Sequence, residues 1–555
     1  MPRRMTLVIV VWTLVLAAGC ERSGERASNV ANRPASNSPA SQISSPVPSV
    51  PAPVLLTDLR KATQVDYLVV TGDEFVDAIA PLAEHRCKTG FAVGVARMSD
   101  VRAQFGDIGP MLTYAAEHWP KPAPKFLLLV GNTRQVPTVH KPARFIDPAL
   151  DGIRESRRIA GLNDGSDIAT DFDYAKPRGA KIAMHVGRLP CDTPEELSTT
   201  VRKIIDYETT LPAGAWQRKV AFVASVGGFS PQVDGMLEDQ FSQIVSAMPA
   251  QYDTEVAYSS TTSAFCPFPP RFNDNALDML NRGCLLYVFI GHGTATQVDS
   301  IRWQGRQYGI LQSRDAARMD VAAGLPVMIV LACETGQFDL DHCLGEAMVK
   351  TPHGPVAFIG GSRITEPYGN LLLADAMSRT FFNARTLGEA MSAAKADVLA
   401  HAPSAMGLKA DLVASLLQGS ENLPAMRMDV VEHYNLLGDP AMVLRRGDGG
   451  IAMTLDGSKV RIDAPGKSSV TLELLGERMM RSEPQDMPAR EAAAMQRYHR
   501  ANEYVLRKAT VGLDGGHAVV ELPTPAGERK CWIRASDGSS AAAVEVPVKA
   551  RKIAN

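Results

Sequence analysis

The sequence predicts an α/β fold, a parallel sheet flanked by helices and built in two successive units, followed by an antiparallel β-sandwich. Two observations carry this. Short apolar runs without alternation recur through the middle of the chain, mostly ending in glycine or a small polar residue, with helix-like stretches between them. Runs of that kind suit strands covered on both faces. After Arg446 the pattern changes to apolar–polar alternation broken by turn residues, as in half-buried antiparallel strands.

Taken in order, the first twenty residues, MPRRMTLVIVVWTLVLAAGC, form a targeting segment. Arg3 and Arg4 supply its positive start, an apolar stretch follows, and small residues precede Cys20. The ending LAAGC resembles a bacterial lipobox, so Cys20 is expected to become a lipidated N-terminus anchored to a membrane, facing the periplasm or the cell surface. A plain secretory signal or a signal anchor is the alternative. No other stretch approaches the ~20 apolar residues that span a bilayer. Residues 21–54 are rich in Ser, Pro, Ala and Asn and read as a flexible tether.

Candidate strands lie at 66–72 (DYLVVTG), 126–131 (FLLLVG), 182–187 (IAMHVG), 220–227 (VAFVASVG), 285–291 (LLYVFIG), 327–333 (VMIVLAC) and 356–361 (VAFIGG). Helices are expected at 74–88, 194–209, 235–248 and 386–401. Thr193 before Pro194, Glu195 and Glu196 has the form of a helix start. The units then divide as residues 55–212 and 213–446, with a sandwich over 447–555 interrupted by a helical insert at about 488–503.

Composition excludes some partners. Apolar residues make up 45% and charged residues 21% of 555, with a net charge of -2. Such a balance offers no footprint for nucleic acid. Eight cysteines occur, at 20, 87, 191, 266, 284, 333, 343 and 531. Setting Cys20 aside leaves an odd number, which in an exported chain implies a free thiol or an intermolecular bridge.

Two strand ends carry candidate chemistry. The run LLYVFIG ends in Gly291-His292-Gly293, and the run VMIVLA ends in Cys333. In open α/β sheets the crevice lies at the carboxyl ends of the strands, so two strands of one sheet bring His292 and Cys333 to one edge. A neighbouring imidazole favours the thiolate, and glycines let backbone approach a substrate. Acyl transfer follows, with Cys333 as nucleophile and His292 as proton donor to the leaving amine. The plain alternative is a small buried thiol and a structural histidine. Asp341-His342-Cys343 falls on a helix-like stretch where neighbours in sequence do not face each other. The acidic run 163–167 (NDGSD) lacks EF-hand spacing; it reads as a solvated turn, with a structural calcium ion as the alternative and no cofactor required.

The order IGHGTA, VLACETGQFD, LGEAMVKTPHGPVAFIGGSR and HYNLLGDPAMVLRR resembles the gingipain family of cysteine peptidases. Upstream, DYLVVTGDEF, KFLLLVGNTRQVP, ATDFDYA and VGRLPCDTPEEL resemble that family's N-terminal subdomain. The resemblance covers about 60–446. It implies a caspase-like α/β/α module in two subdomains, an immunoglobulin-like domain after it, and protein or peptide substrates. It makes His292 and Cys333 the dyad, and gives the oxyanion hole to the N–H groups of Gly293 and Cys333. Trp303 matches an aromatic beside the specificity pocket, while Glu346 and Asp439 read as structural. The family's segment carries an acid four positions before the glycine of VGRLP. Ala183 stands there, so Asp171 or Asp173 is the candidate for orienting His292. A catalytically inactive relative acting as a binding or assembly module is the other reading.

Overall fold

The computed structural model describes residues 52–159, 163–179, 181–228, 231–321, 323–340, 342–401, 404–478, 486–521 and 530–546. The targeting segment, Cys20 and nearly all of the expected tether lie outside them. Within the described residues the body is built on one eleven-stranded sheet. In chain order its strands are β1 (Val54–Leu55), β2 (Tyr67–Thr71), β3 (Val93–Arg97), β4 (Phe126–Val130), β5 (His185–Leu189), β6 (Lys219–Ala224), β7 (Asp253–Tyr258), β8 (Leu286–Ile290), β9 (Val327–Leu331), β10 (Ala357–Gly361) and β11 (Tyr434–Leu437). Their order across the sheet is β1-β3-β2-β4-β5-β11-β10-β9-β8-β6-β7. Val54, the last residue of the expected tether, is already paired with Gly94 as an edge strand.

The apolar runs become strands because both of their faces are covered. In β2, Tyr67 and Val69 pack on one face with Ile79 and Leu82 of the helix Val76–Lys88 and Leu197 of Pro194–Thr209. Leu68 and Val70 pack on the other with Met111 and Leu112 of Ile108–His118. Alternate residues of a strand face opposite ways, so this half is helix, sheet, helix. The helix start read at Thr193 is real: its side chain accepts the Glu196 N–H at 3.3 Å.

All neighbours in β1–β5 are parallel, and so are those in β6–β10. The two sets run oppositely, because β11 is antiparallel to β10 and parallel to β5. One continuous sheet thus spans both halves. Across this seam Arg86 donates to Asp439 from Nε (2.8 Å) and the Tyr67 hydroxyl donates to Asp439 (2.9 Å), while Arg86 Nη1 donates to Glu208 of its own half (2.7 Å). Asp439 in the turn after β11 is structural, as its resemblance implied.

Beyond the sheet, strands β12 (Ala452–Asp456), β13 (Lys459–Asp463) and β16 (His517–Glu521) form one antiparallel sheet. A second is made by β14 (Ser469–Leu475), β15 (Val505–Gly512), β17 (Cys531–Ser536) and β18 (Ala541–Val546). Val460, Ile462, Val470, Ile533 and Val546 share the core between them. The expected helical insert is Glu491–Ala501, and it leads to the outer edge of the main sheet. There Asn502 takes the Val256 N–H (2.7 Å) and gives its own amide to the Val256 carbonyl (3.0 Å). Side chains thereby occupy backbone groups that edge strand β7 would otherwise leave open to pairing.

Arg188 in β5 is fully buried and binds Asp171 twice, Nε at 2.7 Å and Nη2 at 2.8 Å. Its Nη1 also donates to the Gly131 and Val136 carbonyls. Removing the carboxylate leaves a buried unpaired guanidinium, a loss of about 3–5 kcal/mol. Asp171→Ala should therefore lower the urea midpoint by several tenths of its value, whereas exposed Asp58→Ala should leave it within error.

Candidate active site

Adjacent strands β8 and β9 run parallel with Ile290 beside Leu331, and the Gly291 N–H donates to the Leu331 carbonyl at 3.2 Å. Continuing that register by two residues sets His292 opposite Cys333 at one sheet edge. Both flanking glycines are required by space. A Cβ on Gly291 would lie 2.0 Å from Ser225 Oγ, and one on Gly293 would lie 2.8 Å from the Cys333 carbonyl oxygen. The Asp299 N–H donates to the His292 carbonyl (3.1 Å) across the short pairing of Gly293 with Val298. In an antiparallel ladder that makes Gly293–Val298 a pair that exchanges no backbone bonds, so the Gly293 N–H is turned out of the hairpin.

His292 is exposed, and its Nε2 lies 2.6 Å from the carbonyl oxygen of Gly227, in the loop that follows β6. A carbonyl only accepts, so Nε2 carries a proton there. Gly228 next to it has φ +67°, a conformation glycine adopts without the clash that other residues meet. The two aspartates expected to orient this ring are engaged elsewhere. Asp171 holds Arg188 and the Thr138 hydroxyl (2.8 Å), and Asp173 holds Lys141 (2.7 Å) and Lys176 (3.2 Å). The reason is topological: their segment follows the small hairpin Val139–Pro142/Asp167–Thr170 and is drawn to basic groups of the N-terminal half. A backbone carbonyl stands beside the ring instead.

Cysteines 87, 191, 266, 284, 333, 343 and 531 are all unpaired, and Cys333 alone among them is not buried. Its Sγ accepts the Thr365 N–H at 3.3 Å and lies 3.7 Å from the Thr365 hydroxyl. Asn370 donates to that hydroxyl (2.9 Å), and the Tyr434 hydroxyl donates to Asn370 (2.8 Å). Partial burial pushes the thiol above the ordinary cysteine range, against the lowering pull of Thr365, and Glu334 and Glu366 add to the rise. Glu334 follows Cys333 directly with φ 60°, buried, and is tied to both guanidinium nitrogens of Arg157 on the helix Asp151–Ile159. The N-terminal half thus reaches over the strand tips and neutralises the acid next to the thiol. Thr365, Asn370, Tyr434, Glu334 and Arg157 were not legible as site residues. Only the positive φ and burial of Glu334 mark it, and neither has a sequence signature.

Trp303 lies on the hairpin Ser300–Trp303/Arg306–Gly309, which follows the His292 loop. Its ring meets Phe268 edge-on at 5.1 Å. Glu346 sits in the first turn of the helix Leu344–Lys350, where it and Cys343 cap each other's backbone N–H groups. Cys343 is therefore the residue before a helix rather than part of one, His342 has φ 66°, and Asp341 lies outside the described residues. In the acidic run, Asp164 takes the Ser166 N–H (2.9 Å), and Asp167 is shared among Asn163, His140 and Arg363.

Comparison with known proteins fits this geometry. A model of peptidase family C25 matches residues 60–445. Gingipain R2 of Porphyromonas gingivalis is 23% identical over 245 residues, 43% of this chain and 28% of its own length. Lys-gingipain of the same organism is 23% identical over 310 residues, 54% of this chain and 16% of its own. The chain thus spans under a third of the length of these relatives. Among solved structures, the Arg-specific cysteine proteinase gingipain R aligns over 88% of this chain and 99% of its own, with a TM-score of 0.50 at 15% identity. A second protease aligns over 88% and 98%, with a TM-score of 0.51 at 18% identity. The order of strand tips, the tip residues and the family match agree: the chain belongs to peptidase family C25, the gingipain family of cysteine peptidases.

Proposed function

We propose that the protein is a cysteine endopeptidase in which Cys333 and His292 form the catalytic dyad. The observation that carries this reading is the register of β8 and β9, which pairs Ile290 with Leu331 and so brings the positions of His292 and Cys333 to the same end of two adjacent strands. Nδ1 of His292 takes the thiol proton, the Cys333 thiolate attacks the scissile carbonyl, and Nδ1 gives that proton to the leaving amine while Nε2 stays on Gly227. Water then releases the acyl group from the thioester. The outward N–H of Gly293 and that of Cys333 meet the developing oxyanion. The hairpin bearing Trp303 forms a wall of the substrate pocket. We further propose that residues 447–555 are an immunoglobulin-like domain, and that Cys20 is lipidated, with the segment to about residue 51 tethering an exported body to the membrane. Two acyl chains or more at one terminus suffice for stable anchoring.

Cys333→Ala should reduce cleavage of a peptide library on the order of a thousandfold or more and abolish labelling by a thiol-reactive peptide probe. A parent protein that neither cleaves nor labels would favour the inactive binding module. Gly228→Ala probes the orienting carbonyl. Its Cβ meets nothing within 4 Å, so the change acts through backbone conformation, about 1–2 kcal/mol. It should lower kcat/KM roughly tenfold with little change in KM. Cys20→Ser should shift the protein from the membrane pellet to the soluble exported fraction, as read by fractionation.

A further inference from the structure

Resting on the reading of Cys333 as the nucleophile, we infer that Tyr434, Asn370 and Thr365 are positioning residues that favour its thiolate through one hydrogen-bond chain of fixed sense. The chain starts at Tyr434, which is wholly buried. Burial holds its phenol protonated, so the hydroxyl donates, and Asn370 Oδ1 receives it at 2.8 Å. An amide oxygen used this way turns the NH2 to the opposite side, where it lies 2.9 Å from Thr365 Oγ1. A hydroxyl accepting that bond keeps its proton for another partner, and Cys333 Sγ is 3.7 Å away. The Thr365 N–H, at 3.3 Å, is a second donor. Thr365 also precedes Glu366, the N-cap of the helix Pro367–Thr380, so this donor sits two residues before a helix start.

These donors act against named opponents. Burial, the carboxylates of Glu334 and Glu366, and the Thr365 carbonyl, to which Sγ donates at 3.6 Å, disfavour a negative sulfur. Arg157 offsets Glu334, and burial with help from Asp147 pushes Glu366 up to about 7. His292 follows β8, the strand beside the one that leads to Cys333. Its ring is oriented by a carbonyl, which carries no full charge to hold an imidazolium. The donors at the sulfur therefore carry more of the ion pair than they would beside a carboxylate-backed histidine.

The test reads the thiol without any peptide. Iodoacetamide alkylates a thiolate, forming an S–C bond and releasing iodide, and its rate against pH gives the titration midpoint of Cys333 once mass spectrometry has located the adduct. In the full chain, Thr365→Val should raise that midpoint by about one pH unit, since hydrogen bonds to charged groups are among the strong ones. Tyr434→Phe should raise it by less, and Thr365→Ser should keep the parent value. Parent-like midpoints in both Thr365→Val and Tyr434→Phe, with unchanged thermal midpoints, would overturn the inference, as would a Cys333 that resists alkylation at every pH. Should Thr365→Val fold poorly, Tyr434→Phe and Thr365→Ser still decide. A parent that alkylates as described but cleaves no peptide would sink the peptidase reading and leave the chain of donors standing.

Discussion

The structure depends on one short strand, Tyr434–Leu437, that runs against its neighbour on one side and with its neighbour on the other. Without it β5 and β10 would each end in an open edge, and an apolar edge strand is a site for unwanted pairing. The same residues also reach outward from the strand. Tyr434 starts the donor chain to the thiol, Asn435 accepts the Asp171 N–H at 3.0 Å, and Asp439 just beyond takes Arg86. Closing the sheet and placing the hydrogen-bond partners of the Cys333 thiol thus depend on the same strand. A chain that pairs β11 correctly has also placed the partners of Cys333.

Electrostatically the site is a compromise between burial and compensation. A sulfur at a strand tip gains rigidity from its packing and loses solvent, which disfavours charge. The surroundings answer with the N–H and hydroxyl of Thr365, and with an arginine that offsets the charge of the adjacent glutamate. Arg157 comes from the N-terminal half, and Thr365 from the C-terminal half. The surroundings of the thiol are therefore completed by both halves together.

Much of this was legible in the sequence. Runs such as FLLLV and VMIVL read directly as doubly covered strands, because continuous burial leaves no alternation to confuse. The strands that escaped have physical reasons. Val93–Arg97 is broken by Gly94 and ends in arginine, Asp253–Tyr258 is an edge strand with polar residues on its open side, and Tyr434–Leu437 is only four residues long. The run at 182–187 was placed early, and the strand proper is His185–Leu189. His292 and Cys333 were legible as candidates because both follow apolar runs. The group facing the histidine was not, since a search for a carboxylate finds side chains, and Asp171 and Asp173 were the acids within reach by sequence. Pairing of those aspartates with Arg188 and the lysines is a product of tertiary packing.

The carbonyl of Gly227 has a consequence for how such a site is tested and how it drifts over time. A side-chain acid can be erased by one nucleotide change and found by an alanine scan. A main-chain oxygen persists through every substitution at its own position, and a scan across residues 226–228 would report only changes of loop shape. The ring's orientation is inherited with the backbone rather than with a side chain, and a survey of this family by catalytic acids alone would count this chain as incomplete.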